Sequence, residues 1–201
     1  MILISHRVNT TEKLRKVDFQ FGVEIDIRSN NNQLILHHDP FEKGELFKEW
    51  LENYNHKILI LNVKEEGLEN RILTLLREKK INNFFFLDQS FPFLIKLISS
   101  GSGKTAVRFS EYESIETVLS LAGKVDWVWI DSFRSFQLDI DKYKKLKEKR
   151  FKLCLVSPEL QGREKDEEIY ELANFLNENE MEFDAICSKK IELWKRLSDE
   201  Y

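Results

Sequence analysis

The stretch GVEIDI, residues 22–27, sets a carboxylate at every second position of an apolar run. Side chains of a strand alternate between its two faces, so Glu24 and Asp26 share one face while Val23, Ile25 and Ile27 share the other. The apolar face asks for a covering layer. Two like charges side by side are costly in a dry interior unless a cation, an arginine or a lysine neutralises them. An edge strand with its acidic face in water fits the same six residues, so the choice turns on what surrounds them.

Working outward, this is one of eight short apolar runs: MILIS (1–5), VEIDI (23–27), ILILNV (58–63), FFFLD (84–88), AVRF (106–109), WVWID (127–131), KLCLV (152–156) and FDAIC (183–187). Between them apolar residues recur at helical spacing, as in Leu68, Ile72, Leu75 and Leu76, or Ile169, Leu172, Ala173 and Leu176. Strands alternating with helices imply parallel pairing, and eight such units predict an α/β fold, a compact TIM-type (β/α)8 barrel. An open doubly wound sheet is the alternative topology. The polar cluster SNNNQ between IDIR and LILHHD predicts a small hairpin after the second strand. With 201 residues, no internal repeat and no linker rich in Pro or Gly, one domain over residues 1–201 is expected.

Composition narrows the function classes. Hydrophobic residues at 42% and charged residues at 33% describe a soluble globular chain, and a net charge of -4 argues against a general nucleic-acid binder. The N-terminal apolar run is too short for a signal peptide and no run is long enough to span a bilayer, so a cytoplasmic protein without integral membrane association is expected. Cys154 and Cys187 lie in apolar runs as packing thiols, and no CxxC spacing supports a thiolate zinc site. SSGSGKTA imitates a phosphate-binding loop, but Ile98 stands where that loop needs a glycine, and the segment leads from a helix into a strand.

In a barrel the C-terminal strand ends meet at one mouth, where chemistry is placed. Those ends carry His6 and Arg7, Glu24 and Asp26, Asn62 and Lys64, Asp88, Arg108, Asp131, Glu159, and Ser188 with Lys189. If Leu59, Leu61 and Val63 face the helices, Asn62 and Lys64 face the axis; if Val107 and Phe109 face outward, Arg108 faces inward. Glu24 and Asp26 are then hard-oxygen ligands for Mg²⁺ or Ca²⁺, with Asn62 adding an amide oxygen. Lys64 and Arg108 neutralising the pair directly is an equally adequate reading. Histidines near two strand ends, His6 and the pair His37–His38, supply the acid and base that a phosphoryl or acyl transfer requires.

HR at 6–7, ExD at 24–26, HD at 38–39 after a hairpin, and NVK at 62–64 together resemble the glycerophosphodiester phosphodiesterase family, a TIM barrel of the PI-PLC-like phosphodiesterase superfamily. The resemblance is strongest from His6 to Lys64, and FDAICSKK resembles the family's last strand. It implies a metal-dependent phosphodiester hydrolase acting on a small glycerophosphodiester-like molecule. His6 and His38 are implied as the acid/base pair, Arg7 as a phosphate clamp, Lys64 as a phosphate contact, and Glu24 and Asp26 as ligands of a divalent cation. Asp39 is implied to orient its neighbourhood, and Arg108 is a further substrate-binding candidate. Val8 replaces the family's glycine after HR, Asn9-Thr10 is what remains of its PEN-T segment, and Asn62 replaces its third-strand glutamate. That last change motivates the alternative: a barrel that binds a phosphorylated ligand without turnover, its metal site weakened at Asn62.

Overall fold

A computed structural model gives the structure and describes residues 1–199. The strands are β1 (Ile2–Ser5), β2 (Gly22–Asn30), β3 (Gln33–Leu36), β4 (Glu45–Leu46), β5 (Leu59–Val63), β6 (Phe84–Leu87), β7 (Ala106–Phe109), β8 (Trp127–Ile130), β9 (Lys152–Val156) and β10 (Ala185–Ser188). The helices are α1 (Thr11–Leu14), α2 (Phe47–Leu51), α3 (Glu69–Glu78), α4 (Phe91–Ser99), α5 (Ile115–Ser120), α6 (Ile140–Glu148), α7 (Asp166–Glu178) and α8 (Ile191–Asp199), with a 3₁₀ turn at Pro158–Gln161. The chain forms two compact units, Ser5–Thr105 and Met1–Ile4 together with Ala106 onward.

In the first unit β2 pairs in parallel with β5 and β5 with β6, while β3 and β4 add an antiparallel flap to the other side of β2. The predicted hairpin is present. Asn31 and Asn32 both take left-handed φ, +46° and +61°, as a two-residue turn requires, and asparagine tolerates that conformation better than most side chains. Gly44 is needed for contact: a Cβ there would lie 2.3 Å from the Leu36 carbonyl oxygen. Alternation along β2 and β5 works as read from the sequence. Val23, Ile25, Ile27, Leu59, Leu61 and Val63 all join one core with Phe47 and Trp50 of α2 and Ile72 and Leu76 of α3. Removing a ring as large as Trp50 from this core costs about 3–5 kcal/mol.

In the second unit β7, β8, β9 and β10 pair in parallel order, and β1 lies next to β10, where the Ile2 N–H reaches the Asp184 carbonyl at 2.9 Å. Cys154 and Cys187 are buried, as expected of packing thiols, and burial pushes the Cys154 thiol well above its ordinary value. Trp127 and Trp129 are both buried.

Three helices end alike. After α3, α6 and α7 a left-handed residue, Lys80, Arg150 or Glu180, is followed by an apolar one, Ile81, Phe151 or Met181. The N–H of that apolar residue bonds the carbonyl five residues back, of Leu76, Leu146 and Leu176, closing the helix as a Schellman motif and leading at once toward the next strand.

Candidate active site

The Ser5–Thr105 unit brings together six of the predicted site residues on or beside the polar face of β2. The β2–β5 register sets Asp26 opposite Asn62 and Glu24 opposite Ile60, so Glu24, Asp26 and Asn62 point to one side. Glu24 and Asp26 are 0% exposed and Asn62 6%. The edge-strand reading is therefore excluded, and the cost of burying the pair must be met by what surrounds it.

Much of that compensation comes from the segment after β1. Arg7 adopts φ +54°, a left-handed turn that aims its N–H at Glu24 Oε2, 2.7 Å away. His6 Nε2 lies 3.8 Å from the same oxygen. Asn9 holds Asp26 twice: its Nδ2 donates to Oδ2 at 2.8 Å and its Oδ1 accepts from the Asp26 N–H at 2.8 Å. Lys64 Nζ approaches Asp26 Oδ1 at 3.4 Å and Asp88 Oδ2 at 3.5 Å, while Arg7 Nε stands 3.8 Å from Asp26 Oδ2. Val8, where the resembled family has glycine, is buried in the core and its N–H bonds the Glu24 carbonyl.

Asp26 thus has the Lys64 and Arg7 cations near it, whereas the basic side chain nearest Glu24 is the His6 imidazole. Burial, followed by repulsion from Asp26, raises Glu24 to about 8; the Arg7 N–H, the Asn62 amide and Lys64 offset part of that rise. Glu24 therefore keeps its proton to higher pH than an ordinary carboxyl does. Three buried oxygens accept no hydrogen bond: Glu24 Oε1, Asp26 Oδ1 and Asn62 Oδ1.

The turn after β3 carries His37, His38 and Asp39. The His37 N–H bonds the Asp26 carbonyl, which brings the turn to the level of the carboxylates. Its ring Nδ1 accepts from the Asp39 N–H at 3.0 Å, so His37 shapes the turn. His38 is half-exposed, and its Nδ1 lies 2.7 Å from Asp39 Oδ1, a contact that holds the Asp39 carboxyl below its usual range. Asp39 orients the His38 ring, leaving Nε2 as its second nitrogen.

Arg108 belongs to the other unit. There its guanidinium pairs with the buried Asp131, sits over the Phe133 ring and lies 3.9 Å from Glu113. Gln161 donates to both Asp131 oxygens. Asn9 escaped the sequence reading as a site residue. Its signal was present in the Asn9-Thr10 pair, where Thr10 caps α1 by accepting from the Lys13 N–H and leaves Asn9 pointing back at β2.

No protein-family model matches the chain, and no curated protein matches it in sequence. Solved structures do match. A provisionally assigned glycerophosphoryl diester phosphodiesterase from Agrobacterium tumefaciens is similar with a TM-score of 0.72 and 11% identity, over 100% of this chain and 98% of that one. A glycerophosphoryl diester phosphodiesterase from Parabacteroides distasonis gives 0.68 and 11%, over 99% and 86%. A glycerophosphodiester phosphodiesterase from Agrobacterium tumefaciens gives 0.65 and 10%, over 98% and 99%. At these identities the likeness establishes the fold, the α/β barrel expected from the alternation of strands and helices.

Proposed function

We propose that the chain is a phosphoric diester hydrolase, assisted by a divalent cation and acting on a glycerophosphodiester or a related small phosphodiester. One observation carries this reading: the β2–β5 register buries Glu24, Asp26 and Asn62 side by side with one oxygen each lacking a hydrogen bond. Support comes also from the fold, which three structures bearing glycerophosphodiester phosphodiesterase names share.

Two carboxylate oxygens and an amide oxygen suit Mg²⁺ or Ca²⁺, which take hard oxygen donors and complete their shells with water and substrate. Among the described residues no group of three His, Cys, Asp or Glu side chains is arranged to hold a metal. The donor set is therefore one charge short, with Asn62 as its neutral member. A cation held there by Glu24, Asp26 and Asn62 would supply charge stabilisation to the phosphoryl group. Lys64, on the same face and with its ammonium shared between Asp26 and Asp88, contributes fixed positive charge for the phosphate, and so does the half-exposed Arg7. His38, with Nδ1 turned to Asp39, takes or returns a proton at Nε2, and His6 performs the opposite transfer.

The test is hydrolysis of glycerophosphodiesters and of an aryl phosphodiester with Mg²⁺, Ca²⁺ or Mn²⁺. His6→Ala and His38→Ala are each expected to lower kcat about 100-fold or more. Equal turnover in wild type and both variants would overturn the reading. A barrel that binds a phosphate ester without turnover is favoured by the neutral Asn62 and by the Lys64–Asp26 pair, which balance charge with no cation. Calorimetry separates the two, since phosphate-ester binding that ignores EDTA belongs to the second reading.

A further inference from the structure

Arg28 is the third inward residue of β2, two positions beyond Asp26, and no motif above includes it. Its guanidinium points into the protein and is spent on main-chain carbonyls. Nε and Nη2 both donate to the His38 carbonyl, at 3.0 and 2.9 Å, and Nη1 donates to the Lys64 carbonyl at 3.3 Å. The arginine is itself held, with Nη1 3.8 Å from Glu65 Oε1 while Glu65 Oε2 accepts from the Ser29 N–H and hydroxyl.

The placement matters because β5 leaves β2 just past Ile27, and β3, which pairs with β2 from Asn30 back to Ile27, turns away next to Asp26. The His37 N–H bonds Asp26 and the Lys64 N–H bonds Ile27; beyond these, the chain leaves β3 and β5 as loops. The carbonyls of His38 and Lys64 are among the next to follow, and Arg28 takes both. Residues 37–39 otherwise bond chiefly within their own turn, His37 to Asp39 and His38 to Asp39. A planar fork can hold one acceptor with two N–H groups and reach a second with a third; an ammonium has the charge but not that fixed spread.

We propose that Arg28 is a positioning residue whose guanidinium locks the His38 turn to the Lys64 end of β5, and so sets the spacing between the imidazole that moves a proton and the ammonium that holds phosphate. The proposal rests on the hydrolase reading for those two roles, while the lock is a physical claim about residues 28, 38 and 64. Displacing a catalytic group by about 1 Å is enough to cost on the order of 100-fold in rate.

The experiment compares wild type, Arg28→Lys and Arg28→Ala. Arg28→Lys keeps the charge and removes the fork; it is expected to lose on the order of 100-fold in kcat on an aryl phosphodiester, with KM changed much less. Amide hydrogen exchange should quicken at residues 37–44 and 64–66 while β2, β5 and the α3 core keep wild-type protection. His38 ring-proton shifts should move. Ethylguanidinium, which completes the missing side chain of Arg28→Ala, should restore part of the turnover and of the protection. Wild-type kcat and wild-type exchange in Arg28→Lys would overturn the proposal, and so would exchange raised uniformly through β2 and β5, which marks a general fold role. If wild-type protein hydrolyses no phosphodiester, the hydrolase reading fails by itself; local exchange, His38 shifts and rescue of protection by ethylguanidinium still decide the lock.

Discussion

Each unit buries acidic side chains, within β2 in the first and just after β8 and β9 in the second, and the two treat them differently. In the second unit Glu159, 3% exposed, accepts from the Ser188 hydroxyl at 2.6 Å, the Lys189 N–H at 2.9 Å and the Ser157 hydroxyl, which in turn accepts from Trp194 Nε1 at 2.7 Å. Asp131 has Arg108, Gln161 and the Ser132 N–H. In the first unit Glu24 and Asp26 are buried more deeply, yet each keeps an oxygen without a hydrogen bond, Glu24 Oε1 and Asp26 Oδ1, the latter facing only the Lys64 ammonium at 3.4 Å. A carboxylate completed by hydroxyls and amides joins loops; one left incomplete in a dry site is available to a ligand.

The largest effect that tests the contrast is on Glu159. Glu159→Ala strands the Ser157 and Ser188 hydroxyls and the Lys189 N–H in the interior, so denaturant unfolding should show a loss of about 3–4 kcal/mol. An unchanged midpoint would break the comparison.

Next comes Glu24, where the sign is opposite. Burial and the neighbouring Asp26 push its carboxyl up to about 8 in the folded protein, against an ordinary 4.5. Folding is therefore favoured by the retained proton below the ordinary value, and that contribution drains away as pH rises through the window up to about 8. Glu24→Gln cannot lose a proton there. Without divalent cation, its unfolding free energy should fall less than wild type's between pH 5 and 8.5, by roughly 2–3 kcal/mol. Parallel pH profiles would refute the assignment.

Cation binding sharpens the same point. Glu24 must ionise to become a ligand, so affinity should rise toward pH 8, and calorimetry in two buffers at pH 7 should register up to one proton released per cation. The smallest effect expected is that of Asn62→Glu, which restores the missing charge. It should tighten cation binding on the order of tenfold, about 1.4 kcal/mol. No gain would mean that the Lys64 ammonium already stands in for the cation beside Asp26.

Much of this was legible in the sequence because alternation carries it. The spacing of Glu24, Asp26, Asn62 and Lys64 gave their shared face directly, and Leu59, Leu61 and Val63 gave the opposite one. The hairpin followed from Asn31 and Asn32. What escaped was contact through side chain and backbone. Asn9 bonding Asp26 and Arg28 reaching two carbonyls depend on where loops return in space, and periodicity holds no record of that. Arg7 at positive φ was equally silent, since arginine does not announce a left-handed turn. The sequence placed Arg108 and Asp131 each at a strand end, and gave no sign that they satisfy each other.

The shared ending of α3, α6 and α7 bears on how this chain tolerates change in length. Each turns through one left-handed residue and reaches its next strand within a few positions: Lys80 to Phe84, Arg150 to Lys152, Glu180 to Ala185. No slack is stored there. One residue inserted between Arg150 and Lys152 would reverse the facing of β9 and exchange its interior set for its exterior one. The segments that follow strand ends, such as Pro40–Lys43, can lengthen without touching register, so new specificity would be grafted onto the loops after strands while these three helix exits stay fixed in length.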